Sequence, residues 1–283
     1  MKTNELTLEG LTGQISALEL GSSEGSPLIG IHGWLDNAAT FVPLSQHLGH
    51  YRWLCLDMPG HGKSDPRPEG STYHFTDYVG DLFRAMSSLG IERCNLIGHS
   101  LGAGIAATFA ATFPEKVNRL ILIDGLGPIS GEDDDSLDQL RKSMAHLARP
   151  TGEGSRTYPS WEGLVEKRLQ AGDIKRHSVE MLLSRGARRE GDSVTVVSDG
   201  RLKQHSPIYM NQQKVLSLLA GIEAQTLLIL AEDGLIGSRE STRERMKAIK
   251  NLTSVRVPGA HHLHLDDPEP VAAEIRKFIE IDY

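Results

Sequence analysis

Five short apolar runs constrain this chain more than any other feature: "PLIGIHGW", "WLCLDMPG", "CNLIGHS", "LILIDGLGP" and "TLLILAEDG". Each proceeds without polar alternation and then stops at a glycine, a histidine or a carboxylate. A strand with one face in water alternates apolar and polar side chains, whereas a strand buried on both faces does not. These runs therefore predict strands of a mostly parallel sheet covered on both sides. Helical stretches lie between several of them: "TDYVGDLFRAMSSLG", "AGIAATFAATF" and "RESTRERMKAI". The chain closes with "DPEPVAAEIRKFIE", where Asp267 can cap a helix and Pro268 can take its first position. Strand–helix alternation of this kind predicts an α/β fold. Ahead of it, "ELTLEGL" and "GQISALEL" alternate around Thr12-Gly13 and predict a hairpin.

Between Pro128 and about Ala224 the rhythm breaks. That stretch is polar, carries amphipathic pieces such as "SLDQLRKSMAHLA" and "WEGLVEKRLQAG", and is too long for a loop. We read 1–127 and 225–283 as one core domain and 128–224 as a mainly helical cap inserted into it. A length of 283 residues suits one large core plus such an insertion. The net charge of −7 argues against nucleic-acid partners and anionic membranes. No apolar run approaches membrane-spanning length, and "MKTNELTLEG" has no signal-like apolar stretch. Cys55 and Cys94 both sit in apolar runs, so buried free thiols and a cytoplasmic setting are expected.

The chemistry centres on "CNLIGHSLGAG". Gly102-Ala103-Gly104-Ile105-Ala106-Ala107 matches the dinucleotide fingerprint G-x-G-x-x-A, with Asp124 near the place of a ribose-binding acid. The strand, however, ends at Ile97, and the fingerprint should form the turn directly after it. Gly98-His99-Ser100-Leu101-Gly102 instead matches G-x-S-x-G with a strand before and a helix after, the setting of a nucleophile elbow. A second phosphate-loop resemblance, "GHGKS" at 60–64, has Asp57 where the motif needs glycine.

A serine hydroxyl needs a base, and the candidate lies in "VRVPGAHHLHLDDPEP". His261, His262 and His264 lack the spacing of zinc-hydrolase ligands, so no metal is expected there. His262 and His264 read as solvated loop histidines. An oxyanion hole would use the N–H of Leu101, after the serine, and that of Trp34 in "IGIHGWLDN".

Together "HGW", "DMPGHGKSD", "GHSLGA", "LIDGLGP" and "PGAHHLHLDDPE" resemble the α/β-hydrolase superfamily, particularly its serine hydrolase-like, esterase-type members. The resemblance covers nearly the whole chain and is least specific in the cap. It implies that Ser100 is the nucleophile and His261 the base, since Pro268 follows His261 at the family's spacing. Ala260 departs from the family's usual glycine. For the triad acid two residues remain open. Asp233 has the commoner spacing ahead of the histidine, although an ungapped alignment places Gly234 at the acid position. Asp124 follows the strand after the nucleophile helix, as in the dehalogenase-like branch, and is favoured. The expected activity is hydrolysis of small-molecule carboxylic esters without metal or organic cofactor. Thioester, lactone or carbon–carbon bond hydrolysis, or a non-catalytic binding protein on the same fold, are the alternatives.

Overall fold

The computed structural model describes residues 3–131, 135–147, 156–234 and 236–280. An N-terminal hairpin pairs β1 (Asn4–Glu9) with β2 (Gln14–Gly21) antiparallel, its turn closed by the Gly10 N–H on the Gly13 carbonyl at 2.8 Å. The chain then runs through β3 (Pro27–Ile31), α1 (Val42–His47), β4 (Arg52–Leu56), α2 (Phe75–Ser88), β5 (Cys94–His99), α3 (Leu101–Thr112) and β6 (Val117–Ile123). A long intervening segment carries α4 (Ser136–Leu147), β7 (Thr157–Tyr158), α5 (Trp161–Leu169), α6 (Arg176–Gly186), β8 (Ala187–Glu190), β9 (Ser193–Val196) and α7 (Gln212–Leu219). The alternation resumes with β10 (Gln225–Ala231), α8 (Glu240–Ala248), β11 (Leu252–Val257), α9 (Leu263–Asp266) and α10 (Pro268–Glu280).

The main sheet has eight strands in the order β1-β2-β4-β3-β5-β6-β10-β11. Only β2 pairs antiparallel; from β4 onward every pairing is parallel. The unbroken apolar runs now have their reason. Along β6, Leu120 and Leu122 enter the core on one face, while Ile121 and Ile123 enter the core on the other. In β10, Leu228 and Leu230 part from Leu227 and Ile229 in the same way. With a side-chain period of two, a strand covered on both faces must be apolar at every step. One face is covered by α2, α3 and α7, the other by α1 and α10. Cys55 and Cys94 are free and buried, and burial pushes the Cys94 thiol up to about 12.

From β3 the chain moves outward to β4 on one side, and from β5 outward to β6 on the other. The crevice at the C-terminal ends of β3 and β5 is thus the switch point where open α/β sheets place their ligands.

The intervening segment shows two features beyond its sequence reading. It holds a small antiparallel sheet, β7-β9-β8, beside its helices. Its last helix, α7, belongs by packing to the main core: Val215 and Leu219 join Phe109 and Leu228 there. The apolar face of α7 thus places the packing boundary ahead of 224. Residues 132–134 and 148–155 of this segment lie outside the described residues. The part around α5 and α6 has its own core of Leu164, Val165, Val179 and Leu182, joined by Leu265 of α9. Polar ties fasten it to the sheet domain. The Arg185 Nε donates to Asp57 at 2.8 Å, the Asn37 Nδ2 to the Leu182 carbonyl at 2.8 Å, and the Arg168 Nη2 to Asp36 at 2.8 Å. Among the described residues, no helix is long and apolar enough to cross a membrane.

Candidate active site

Ser100 joins the end of β5 to the start of α3 with φ 52° and ψ −113°. A positive φ is unfavourable for a residue with a side chain, and such strain gathers at functional sites. The motif glycines make the kink possible. A Cβ on Gly98 would stand 2.3 Å from the Gly102 carbonyl oxygen, and one on Gly102 would stand 2.0 Å from the Ile31 carbonyl oxygen. Only bare backbone fits at either place. The kink is held by the Ser100 N–H on the Ile123 carbonyl at 3.0 Å.

Among the described residues the non-glycine positions with positive φ are Leu35 (61°), Ser100 and Asp124 (40°), and all three follow C-terminal ends of central strands. Asp124, directly after β6, is fully buried. Its N–H donates to the Ile229 carbonyl at 2.8 Å, and its Oδ1 accepts from the Ala231 N–H at 3.2 Å. Its Oδ2 lies 2.6 Å from His261 Nδ1, and His261 Nε2 lies 3.0 Å from Ser100 Oγ. A buried carboxylate only accepts, so the network assigns the proton of His261 to Nδ1 and leaves the Nε2 lone pair facing the serine hydroxyl. An unprotonated imidazole nitrogen at that distance can take the hydroxyl proton.

Asp233 is not brought to the imidazole. It is solvent-exposed and is anchored through its main-chain N–H on the Gly259 carbonyl at 3.1 Å. Gly234 is the neighbour that approaches the site: a Cβ there would stand 3.1 Å from both Asp124 carboxylate oxygens. Leu101 opens α3, so its N–H has no acceptor within the helix and faces out from the helix N-terminus. The loop carrying Trp34 passes close by, since a Cβ on Gly33 would lie 2.8 Å from His99 Nδ1. The Trp34 side chain is 51% exposed and donates its indole N–H to the Leu202 carbonyl at 3.0 Å.

The solvated reading of His262 and His264 is overturned. His264 is fully buried and lies 2.9 Å from Thr40 Oγ1, because the short helix α9 turns it into the core. The His262 side chain is only 14% exposed, with Nε2 3.2 Å from Asp36 Oδ2. Sequence reasoning missed Asp36, His99 and Arg168 altogether. Asp36 was visible only as one polar residue in "HGWLDN", and His99 as the variable residue of the elbow motif. Burial drives His99 down to about 4, and drives His264 well below its ordinary value, so both rings are neutral at neutral pH. For Asp36, burial works upward, but the hydrogen-bonded imidazole of His262 outweighs it and holds the carboxyl well below its usual range.

Asp36, His99 and His262 present one oxygen and two nitrogens within 4.8 Å of one another, a possible ligand set for a cation. The donor chemistry does not suit one. Arg168 already neutralises the lone carboxylate, and a divalent ion would stand beside that guanidinium with no further anion among the three to balance it.

A serine held at a strained strand–helix junction at the switch point of such a sheet, with an imidazole and a buried carboxylate in line, defines an α/β hydrolase. The family model described as the alpha/beta hydrolase fold matches residues 26–268, and the chain belongs to that family. Over 283 residues it is 31% identical to the serine hydrolase-like protein of Danio rerio, covering 95% of this chain and 86% of that one. With human serine hydrolase-like protein 2 the identity is 29%, over 98% of this chain and 94% of the relative. A solved structure of a hypothetical protein from Pseudomonas aeruginosa PAO1 superposes with a TM-score of 0.90 at 33% identity, over 97% of both chains. The thioesterase domain of the curacin biosynthetic pathway shares the fold, with a TM-score of 0.86 at 22% identity over 98% of this chain and all of that domain (100%).

Proposed function

We propose that the protein hydrolyses carboxylic esters through an acyl-enzyme, with Ser100, His261 and Asp124 as its triad. The observation that carries this reading is the unbroken relay from Asp124 Oδ2 to His261 Nδ1 at 2.6 Å and from His261 Nε2 to Ser100 Oγ at 3.0 Å. His261 Nε2 takes the hydroxyl proton as Ser100 Oγ bonds to the substrate carbonyl carbon. The carbonyl oxygen becomes an oxyanion held by the N–H groups of Leu101 and Trp34. The imidazolium then returns its proton to the departing alkoxide, the C–O bond breaks, and an acyl-serine remains. Water, deprotonated by the same imidazole, repeats the sequence and releases the acid. Asp124 stays ionised throughout and holds the ring in the competent tautomer. The part of the segment 128–224 that lies ahead of α7 would serve as the cap that shapes the acyl pocket.

A fluorophosphonate probe tests the reading directly. Wild-type protein should be labelled on Ser100, Ser100→Ala should not, and a panel of activated esters of varied acyl length should be turned over by the wild type alone. Folded wild-type protein that neither labels nor turns over any ester would show a binding protein on this fold instead.

A further inference from the structure

We propose that Asp36 is a positioning residue for His261, tying the main chain that carries the imidazole to helix α5 through Arg168. What His261 does in this proposal rests on the acyl-transfer reading above; how it is held rests on geometry alone.

Asp36 lies in the loop after β3, and its side chain is 1% exposed. A carboxylate at that depth needs partners. Its Oδ1 accepts from the Arg168 Nη2 at 2.8 Å, across from the cap, and its Oδ2 accepts from the His262 Nε2 at 3.2 Å. His262 is the residue directly after the base. The other hold on the same peptide comes from His99, whose Nε2 lies 2.9 Å from the His261 carbonyl oxygen. A carbonyl only accepts, so this nitrogen carries the ring proton. His99 Nδ1 then turns a lone pair toward Asp36, 3.6 Å from Oδ2 and without a hydrogen-bond partner. A buried acceptor left in that state calls for a functional explanation, and the clamp on the His261 carbonyl supplies one. The peptide between His261 and His262 is held by its carbonyl on one side and by the following side chain on the other.

Two consequences separate this arrangement from ordinary packing. The first is electrostatic. The Asp36 carboxylate touches His262, the residue beside the base, and Arg168 partly cancels its charge. The other titratable groups packed there are the rings of His99 and His262, with centroids 4.7 Å and 5.3 Å from that of His261, and behind them His264 and His32. The second is mechanical. Arg168 sits on α5, so movement of that helix is felt at the base through Asp36.

The test measures the His261 imidazole titration by NMR in a Ser100→Ala background, beside kcat and KM for an activated ester in the Ser100-containing proteins. Asp36→Asn keeps the shape but removes the anion, so the His261 titration should move to lower pH. Arg168→Met uncovers the anion, so the titration should move to higher pH. In Asp36→Asn, kcat should fall about tenfold with KM changed less than about twofold, as expected when a base is misplaced rather than a substrate released. The double variant should be non-additive in kcat. A merely structural role would not move the titration in opposite directions. Identical His261 titrations in all three proteins, or shifts of the same sign in both variants, overturn the proposal. Arg168 is partly exposed, so its variant reads the link even if Asp36→Asn folds poorly. If the wild type proves inactive toward every ester and probe, the acyl-transfer reading fails, while the imidazole titration still shows whether the Asp36–Arg168 pair acts on His261.

Discussion

The Cβ position of Gly234 stands 3.1 Å from both carboxylate oxygens of Asp124. The turns after β6 and β10 therefore converge on one small space beside the His261 imidazole, and only one of them can fill it with a carboxylate. The turn after β6 does so, and the turn after β10 makes room with a glycine. A methyl group there would also stand 2.8 Å from the Ala231 Cβ, so Gly234→Ala has nowhere to go without moving β10 or the carboxylate. We expect it to lower stability by about 1–3 kcal/mol, the usual effect of overpacking, and to reduce kcat in the same protein. Denaturant unfolding together with ester kinetics checks both.

Asn substitutions separate the two carboxylates left open by spacing. Asp124→Asn removes the acceptor that fixes the Nδ1 proton, and kcat should fall by about 10⁴, as in comparable triads. Asp233→Asn changes an exposed side chain and should leave kcat within about twofold. Comparable losses from both would show that the relay was read wrongly.

The strained serine offers a stability experiment. Glycine adopts the φ of 52° at Ser100 without penalty, whereas alanine does not. Ser100→Gly should therefore be more stable than Ser100→Ala, by about 1 kcal/mol after glycine's greater unfolded-state entropy is subtracted. Both should be inactive. Equal urea midpoints would mean that the junction stores no such strain.

Arg185 holds the segment around α6 to the sheet domain. Its side chain is 5% exposed, and that of its partner Asp57 is fully buried at 0%. Removing one member of a buried pair leaves the other uncompensated, so Arg185→Met should cost about 3–5 kcal/mol. Limited proteolysis should then cut first between β6 and β10.

Acid should destabilise the fold through its buried histidines. Burial lowers His32 and His99 to about 4 and His61 to about 3. Their folded values lie below the unfolded value near 6.5. Between about pH 6.5 and 4 the unfolded chain accordingly binds protons that the folded chain does not, and stability falls as pH falls. Each such histidine contributes at most about 1.4 kcal/mol per pH unit. The urea midpoint should drop clearly between pH 7 and pH 5; a flat profile would contradict the neutral buried state.

Much of the architecture was legible in the residues because it depends on local pattern. Unbroken apolar runs predict doubly covered strands, and glycines spaced around Ser100 predict a kink that side chains would block. The resemblance to the hydrolase family placed His261, because Pro268 follows it at that family's spacing. The acid was not settled in that way, since both candidates end a strand and the choice depends on where two turns, far apart in the chain, meet the imidazole in space. The same holds for His262 and His264. As a string, "HHLHLDD" looks solvent-facing; only the turn of α9, together with Asp36 and Thr40 arriving from the loop after β3, makes these residues buried. The tie from Arg168 to Asp36 to His262 joins three segments with no common pattern, so nothing short of the folded chain could reveal it. Periodicity and steric demand act between neighbours and can be read along the chain. Which polar groups satisfy one another once buried is decided by contacts between distant segments, and those exist only in three dimensions.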